Sequence, residues 1–272
     1  MTSVVTDAIV LHGFDYLESS RILKLVTREA GVRSVLARGA RRSTRRFGTS
    51  LDLFAQGTAE LQTKVGRDLD TLSGFDVVRG RPQLAVQLSR FSGAAVIAEL
   101  TLRFASEAAD QGLFDAVERG LDEIGRSPAA DARDMTLAVA WRVLLELGVA
   151  PTIDQCAECA AGVGPDVAPV FSHAAGGVIC ERCSHSARSG RVLPSTARNA
   201  LRDWLSGSSH ILASAQDARA HQRLLREFVR EHLADARPMS AFDSWERETL
   251  TGGEPTSRLA ESGRGNEGGE AA

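Results

Sequence analysis

Aromatic residues make up only 5% of the 272 residues, with a single tyrosine, so any core must be built mainly from aliphatic side chains. No stretch reaches the run of about 18 apolar residues that a membrane-spanning helix needs. Met1 to Leu11 lacks the basic start, apolar run and small-residue cleavage site of a secretory signal, so a soluble, cytoplasmic protein is expected. Cysteine is confined to four residues in two close pairs, which in a reducing compartment points to metal or redox chemistry before a disulfide framework. The phosphate loop, the Gly-x-Gly-x-x-Gly fingerprint, the Gly-x-Ser-x-Gly elbow and the His-Glu-x-x-His pair are all missing. Nucleotide hydrolysis and hydride transfer therefore lack their usual parts, and a non-enzymatic protein is expected.

What is present divides the chain. Short apolar runs at Ile9–Leu11, Ile22–Val26, Val32–Ala37 and Thr58–Gln62 alternate with Gly13, Gly31, Gly39, Gly57 and Gly66, the pattern of a small β-barrel. Among five-stranded barrels the oligonucleotide-binding kind is the usual one. After Pro82 the apolar period lengthens to that of a helix, through Leu84, Leu88, Phe91, Ala95 and Leu102. Further helices are expected around Leu113 to Ile124, Met135 to Leu145, Ala197 to Leu205 and His221 to Leu233. The expected fold is α+β: a barrel over 1–80 and a helical domain over 81–250 with a zinc ribbon inserted at 151–192. A disordered tail is expected over 251–272, where Gly, Glu, Ser and Ala dominate.

The inserted segment carries Cys156-x-x-Cys159 and Cys180-x-x-Cys183, separated by twenty residues, enough to bring both turns to one tetrahedral ion. Between them, Pro169–His173 and Gly176–Cys180 read as the two strands of a ribbon hairpin. With all four positions thiolate, no place is left for a catalytic water, so one structural Zn2+ is expected. A redox pair would need only one such turn, usually in a βαβ setting. A zinc deaminase would need a proline before a Cys-x-x-Cys, and neither Cys156 nor Cys180 has one. His173 and His185 read as surface residues.

Net charge is only −3, but its distribution is uneven: Ala30 to Leu51 holds Arg33, Arg38, Arg41, Arg42, Arg45 and Arg46 and no acidic residue. Guanidinium forks match phosphate oxygens, so this stretch reads as a loop lying along a nucleic-acid backbone, extended by Lys64 and Arg67 in a later turn. Phe14, Tyr16 and Phe47 are the candidate stacking platforms for unpaired bases. The alternative at this level is an RNA- or ribosome-associated barrel protein with a zinc ribbon.

Three stretches carry a resemblance. Ala8-Ile-Val-Leu-His-Gly-Phe-Asp-Tyr-Leu-Glu-Ser-Ser-Arg-Ile-Leu23, Thr27-Arg-Glu-Ala-Gly31 followed by Ala37-Arg-Gly-Ala-Arg-Arg42, and Arg237-Pro-Met-Ser240 resemble the bacterial RecO family of recombination mediators, over about residues 4–245. The resemblance implies a barrel, a helical domain and a zinc ribbon. It also implies binding of single- and double-stranded DNA, strand annealing, and work with RecR and the acidic tail of single-strand-binding protein to load RecA. That would place the protein at the nucleoid during repair. Arg38, Arg41 and Arg42 match the family's basic barrel surface, with Arg45 and Arg46 extending it.

Overall fold

The computed structural model describes residues 2–40, 47, 51–63, 66, 68–185, 190–232 and 237–251. The barrel strands are β1 (Thr2–Tyr16), β2 (Ser20–Thr27), β3 (Gly31–Ala37), β4 (Gln56–Thr63) and β5 (Asp70–Arg79), with Ala8–Leu11 of β1 buried on both faces. The strands close in the order β1-β2-β3-β5-β4, with β4 returning antiparallel to β1 and β3 meeting β5 in parallel. The closing β3–β5 seam is short, with only Val35–Asp70 and Leu36–Thr71 in register. Ala8, Val10, Leu23, Leu25, Val35 and Leu61 fill the interior with small and branched aliphatic groups, as the shortage of aromatics requires.

Two glycines that read as breaks lie inside strands. Gly13 follows a bulge between Val10 and His12 and points inward, where a Cβ would sit 2.8 Å from Leu23 Cδ2. Gly57 stands at a bulge in the β4–β5 pair, where a Cβ would come 2.3 Å from the Asp76 carbonyl oxygen. Glycine here permits close backbone approach within a strand rather than ending it. The fifth strand was not among the apolar runs because its outer end, from Asp76 to Arg79, is exposed.

The helices follow as α1 (Pro82–Ala85), α2 (Leu88–Phe104), α3 (Gln111–Arg126) and α4 (Ala132–Glu146). The Asp110 carboxylate caps α3 by accepting from the Leu113 N–H at 2.9 Å, satisfying one of the four orphan donors of a helix start. Helix α4 ends at Gly148, whose φ of +72° lets the chain turn back so that Val149 N–H reaches the Leu144 carbonyl at 2.9 Å. Most of α4 is buried, with Trp141 fully so. Its neighbours approach through glycines: Gly93 of α2 faces Thr136, and Gly120 of α3 faces Val139, where added Cβ atoms would lie 2.1 and 2.3 Å from side-chain atoms.

Beyond α4 come β6 (Val170–Ser172), β7 (Gly177–Ile179), the short α5 (Glu181–Ser184) and β8 (Arg191–Val192). These strands form a three-stranded sheet of order β7-β6-β8. Helices α6 (Ser195–Leu205) and α7 (Ala215–His232) return to pack on α4. A further helix, α8 (Ser240–Thr251), lies past Pro238, where the sequence reading placed none. Phe242 and Trp245 anchor it in the helical core with 0% exposure. Asp243, Ser244, Glu246 and Arg247 crowd around these two anchors and hide the helical period. Leu233 and residues 252–272 lie outside the described residues.

Barrel and helices share one apolar cluster, since Ile9, Leu11, Val26 and Phe54 on the barrel's outside join the helical core. Polar groups lock the same junction. Arg81, with a fully buried side chain, donates to Asp122 at 2.7 Å, to the Phe54 carbonyl at 2.8 Å and to Gln56 Oε1 at 3.0 Å. Arg28 lies 4.4 Å over the Phe114 ring and pairs with Asp115 at 2.7 Å.

Candidate nucleic-acid interface and metal centre

Strand alternation sorts the barrel residues into an inward and an outward set. Past the β1 bulge, Gly13 pairs with inward Leu23, so His12 and Phe14 face outward beside Lys24 and Ile22 of β2. On β3, Ser34 and Leu36 continue these rows, giving His12–Lys24–Ser34 and Phe14–Ile22–Leu36 across three strands. Phe14 and Tyr16 are 45% and 42% exposed, enough free face to stack a planar ligand, and His12 meets Phe14 edge-on at 6.1 Å. Phe47 is different: it is 2% exposed and plugs the barrel interior, so the expectation that it stacks bases is corrected. Lys24, central on the outward face, was missed because a lone lysine between Leu23 and Leu25 carries no signal until the strand register is known.

The basic residues also separate. Arg38 is exposed where β3 ends and the arginine segment begins. Arg33 spends its donors at the junction with the helices, on the Ala30 carbonyl at 2.8 Å and on Glu107. Arg41, Arg42, Arg45, Arg46, Lys64 and Arg67 lie outside the described residues.

In the ribbon, the four cysteines come together. Their sulfur atoms all lie within 4.8 Å of one another, and Cys159 and Cys180 are 3.8 Å apart. Metal–sulfur bonds of about 2.3 Å in a tetrahedron give sulfur–sulfur edges of about 3.8 Å, so the set fits one tetrahedral ion. All four are free thiols rather than disulfides. Each turn shapes itself around the site. In the first, Ala160 adopts φ +57° and its N–H returns to the Cys156 carbonyl at 2.8 Å; in the second, Cys180 caps α5 and Ser184 N–H returns to its carbonyl at 2.9 Å.

Backbone amides aim at the sulfurs, with Cys180 N–H reaching Cys156 Sγ at 3.3 Å. Burial opposes ionisation of Cys156, but amides of Cys180, Cys159 and Glu158 outweigh it and bring the thiol down to about 6. Cys159 is lowered as well, by the Ala161 amide and by Arg182, whose guanidinium donates to its sulfur at 3.5 Å. Hydrogen bonding to Cys159 and Cys180 pushes Cys183 up to about 12. Two of the four thiols are thus biased toward the thiolate form in which a cysteine binds a metal ion.

Arg198 of α6 ties the first turn to the helical body. It is 0% exposed and donates to the carbonyls of Ile153 at 2.8 Å, Val163 at 2.7 Å and Gly164 at 2.5 Å. These carbonyls flank Cys156 and Cys159 on both sides. His173 is half-buried rather than a surface residue, edge-on to Phe171 at 5.2 Å, and burial lowers its pKa.

These features define a class: an oligonucleotide-binding-type barrel carried on a helical body with a four-thiol ribbon. Among the described residues no helix is long and apolar enough to cross a membrane. Family models for the N-terminal and C-terminal parts of recombination protein O match residues 1–81 and 86–241, and the chain belongs to that family. It is 35% identical over 242 residues to a DNA repair protein RecO of Anaeromyxobacter dehalogenans, covering 86% of this chain and 92% of the relative. A protein of the same description from Myxococcus xanthus is 32% identical over 228 residues, covering 84% and 91%. One from Rubrobacter xylanophilus is 30% identical over 234 residues, covering 86% and 92%.

Proposed function

We propose that the protein acts in DNA repair and recombination as a non-enzymatic mediator that binds single- and double-stranded DNA and anneals complementary strands. The observation that carries this reading is the outward face of β1–β2–β3. There His12, Phe14 and Tyr16 of β1 and Lys24 of β2 lie beside β3, which leads into Arg38 and the arginine segment. In oligonucleotide-binding barrels the corresponding face and its adjoining loops hold the ligand. The aromatic rings stack bases, while Arg38, Arg41, Arg42, Arg45 and Arg46, extended by Lys64 and Arg67, neutralise phosphates. Arg33 is held by Glu107 and contributes chiefly to the junction with the helices.

Annealing follows from charge. Two strands laid against one basic surface lose their mutual repulsion and release counterions, and their bases pair without an energy source. The helical body supplies surfaces for RecR and for the acidic tail of single-strand-binding protein, through which RecA is loaded, in the cytoplasm and on the nucleoid during repair. Cys156, Cys159, Cys180 and Cys183 hold one structural zinc, which supplies the cross-link that keeps the two turns together. This chain's own residues shape that site through amide-to-sulfur hydrogen bonds and the Arg198 brace.

The test is strand annealing with and without single-strand-binding protein, together with filter binding across a salt series. Neutral substitution of Arg41, Arg42, Arg45 and Arg46 is expected to flatten the log–log salt slope by roughly 0.7 per lost contact on single strands. No DNA binding by the parent protein in low salt would overturn the reading. Preferential binding of RNA in a direct competition would move it to an RNA-associated role.

A further inference from the structure

The ribbon sheet and the helices behind it frame a half-open cavity that the DNA-binding reading leaves unused. Its volume is about 560 Å³, and its walls are β6 and β8 on one side, α6 and α7 on another, and the segment around Ile211. That size lies within the roughly 300–1,000 Å³ of small-molecule sites, and its lining is mostly apolar, as theirs is. Val192 and Ile211, 65% and 53% exposed, carry the apolar surface out to the mouth.

One wall residue is a polar group that the protein leaves unmet. His221 of α7 is 3% exposed and stands edge-on to Trp204 at 4.9 Å, and neither ring nitrogen has a hydrogen-bond partner. Burial lowers its pKa to about 4, so at neutral pH the ring is uncharged, with one donor and one acceptor unfilled. Charge at the cavity is balanced: Arg191 and Arg223 are set against Asp217 and Glu227, and Arg191 pairs with Glu227 at 3.5 Å. No net field therefore selects an anion or a cation.

We infer that this cavity binds a neutral aromatic molecule of the phenol class, its ring packed between the ribbon sheet and α7 and its hydroxyl turned to His221. A hydroxyl both donates and accepts, matching either nitrogen of a neutral imidazole. Both nitrogens are buried in the free protein, so the pairing requires the ring to turn about its broad Cβ–Cγ torsion.

The experiment titrates the full-length, ¹⁵N-labelled protein at neutral pH with p-cresol and with toluene, which has the same shape without the hydroxyl. Amide and imidazole resonances report binding. Saturable shifts confined to the cavity walls are expected, with p-cresol binding about tenfold or more tighter than toluene, since a site with unmet polar groups rejects the analogue that cannot pair with them. His221→Phe keeps the ring shape and is expected to bring the two affinities within about threefold. Ala220→Trp fills the cavity from an exposed position on α7 and is expected to abolish p-cresol binding, with unchanged amide shifts away from the cavity walls showing that the variant is folded. Scattered or non-saturating shifts, equal affinities in the parent protein, or unchanged p-cresol binding by a folded Ala220→Trp protein would each overturn the inference.

Discussion

Replacing Arg198 by methionine removes the brace between α6 and the first cysteine turn while keeping most of the side-chain volume. The parent guanidinium is 0% exposed and satisfies the carbonyls of Ile153, Val163 and Gly164, with a further bond to Asp154 at 3.3 Å. Methionine offers these acceptors nothing, and the bond to the Ile153 carbonyl is buried. Leaving hydrogen-bonded carbonyls unpaired costs about 1–3 kcal/mol each, so a loss of about 3–5 kcal/mol is expected for the set. At about 2–4 °C per kcal/mol for a protein of this size, the melting temperature is expected to fall by roughly 10 °C. Arg202, four residues further along α6, is the control. It also contacts Asp154, at 2.6 Å, but its side chain is 32% exposed. Arg202→Ala is expected to cost no more than about 1 kcal/mol, as surface ion pairs do. Because the braced segment carries Cys156 and Cys159, Arg198→Met is also expected to speed zinc release to a colorimetric chelator. Melting within about 2 °C of the parent, together with unchanged release, would refute the assignment of Arg198 as the brace.

Three other perturbations follow from the same structure. The unfolded chain protonates His221 near pH 6.5 and the folded chain only near pH 4, so between these values the unfolded state binds more protons and acid favours it. Stability is expected to fall as pH drops through that window, by about 3 kcal/mol in all, and His221→Phe should flatten the curve in urea melts at several pH values. Trp245→Ala empties a fully buried site under α8 and is expected to cost about 3–5 kcal/mol in chemical denaturation; a loss under 1 kcal/mol would mean that α8 does not dock. Cys156→Ser with Cys180→Ser is expected to abolish zinc retention, measured by elemental analysis, and to lower thermal stability, whereas a redox role would leave the fold intact and remove a thiol-dependent activity.

Composition and periodicity carried much of this molecule. The glycine-spaced apolar runs marked four of the five barrel strands, and the change of period after Pro82 marked the helices, because strand and helix burial impose different spacings on one-dimensional sequence. The two Cys-x-x-Cys turns were legible for a similar reason: a short turn can direct only nearby residues at one ion. Features that depend on what lies across the fold were hidden. Gly13 and Gly57 read as breaks because the backbone and side chains they make room for, at Leu23 and Asp76, are contributed by other strands. Helix α8 was lost among charges because its two anchors acquire meaning only against the core that receives them. Phe47 and Phe14 are equivalent as residue types, yet the fold buries one inside the barrel and leaves the other 45% exposed.

The sequence by itself determined the kinds of element, the four metal-capable thiols and the arginine-rich stretch, all of which are local properties of neighbouring residues. Tertiary structure alone decided the rest: which face of β1–β2–β3 carries Lys24 beside the aromatic rings, how Arg198 and Arg81 secure the ribbon and the barrel, and where His221 lines a cavity. Each of these depends on residues far apart in the chain meeting in space, and no periodicity records such meetings.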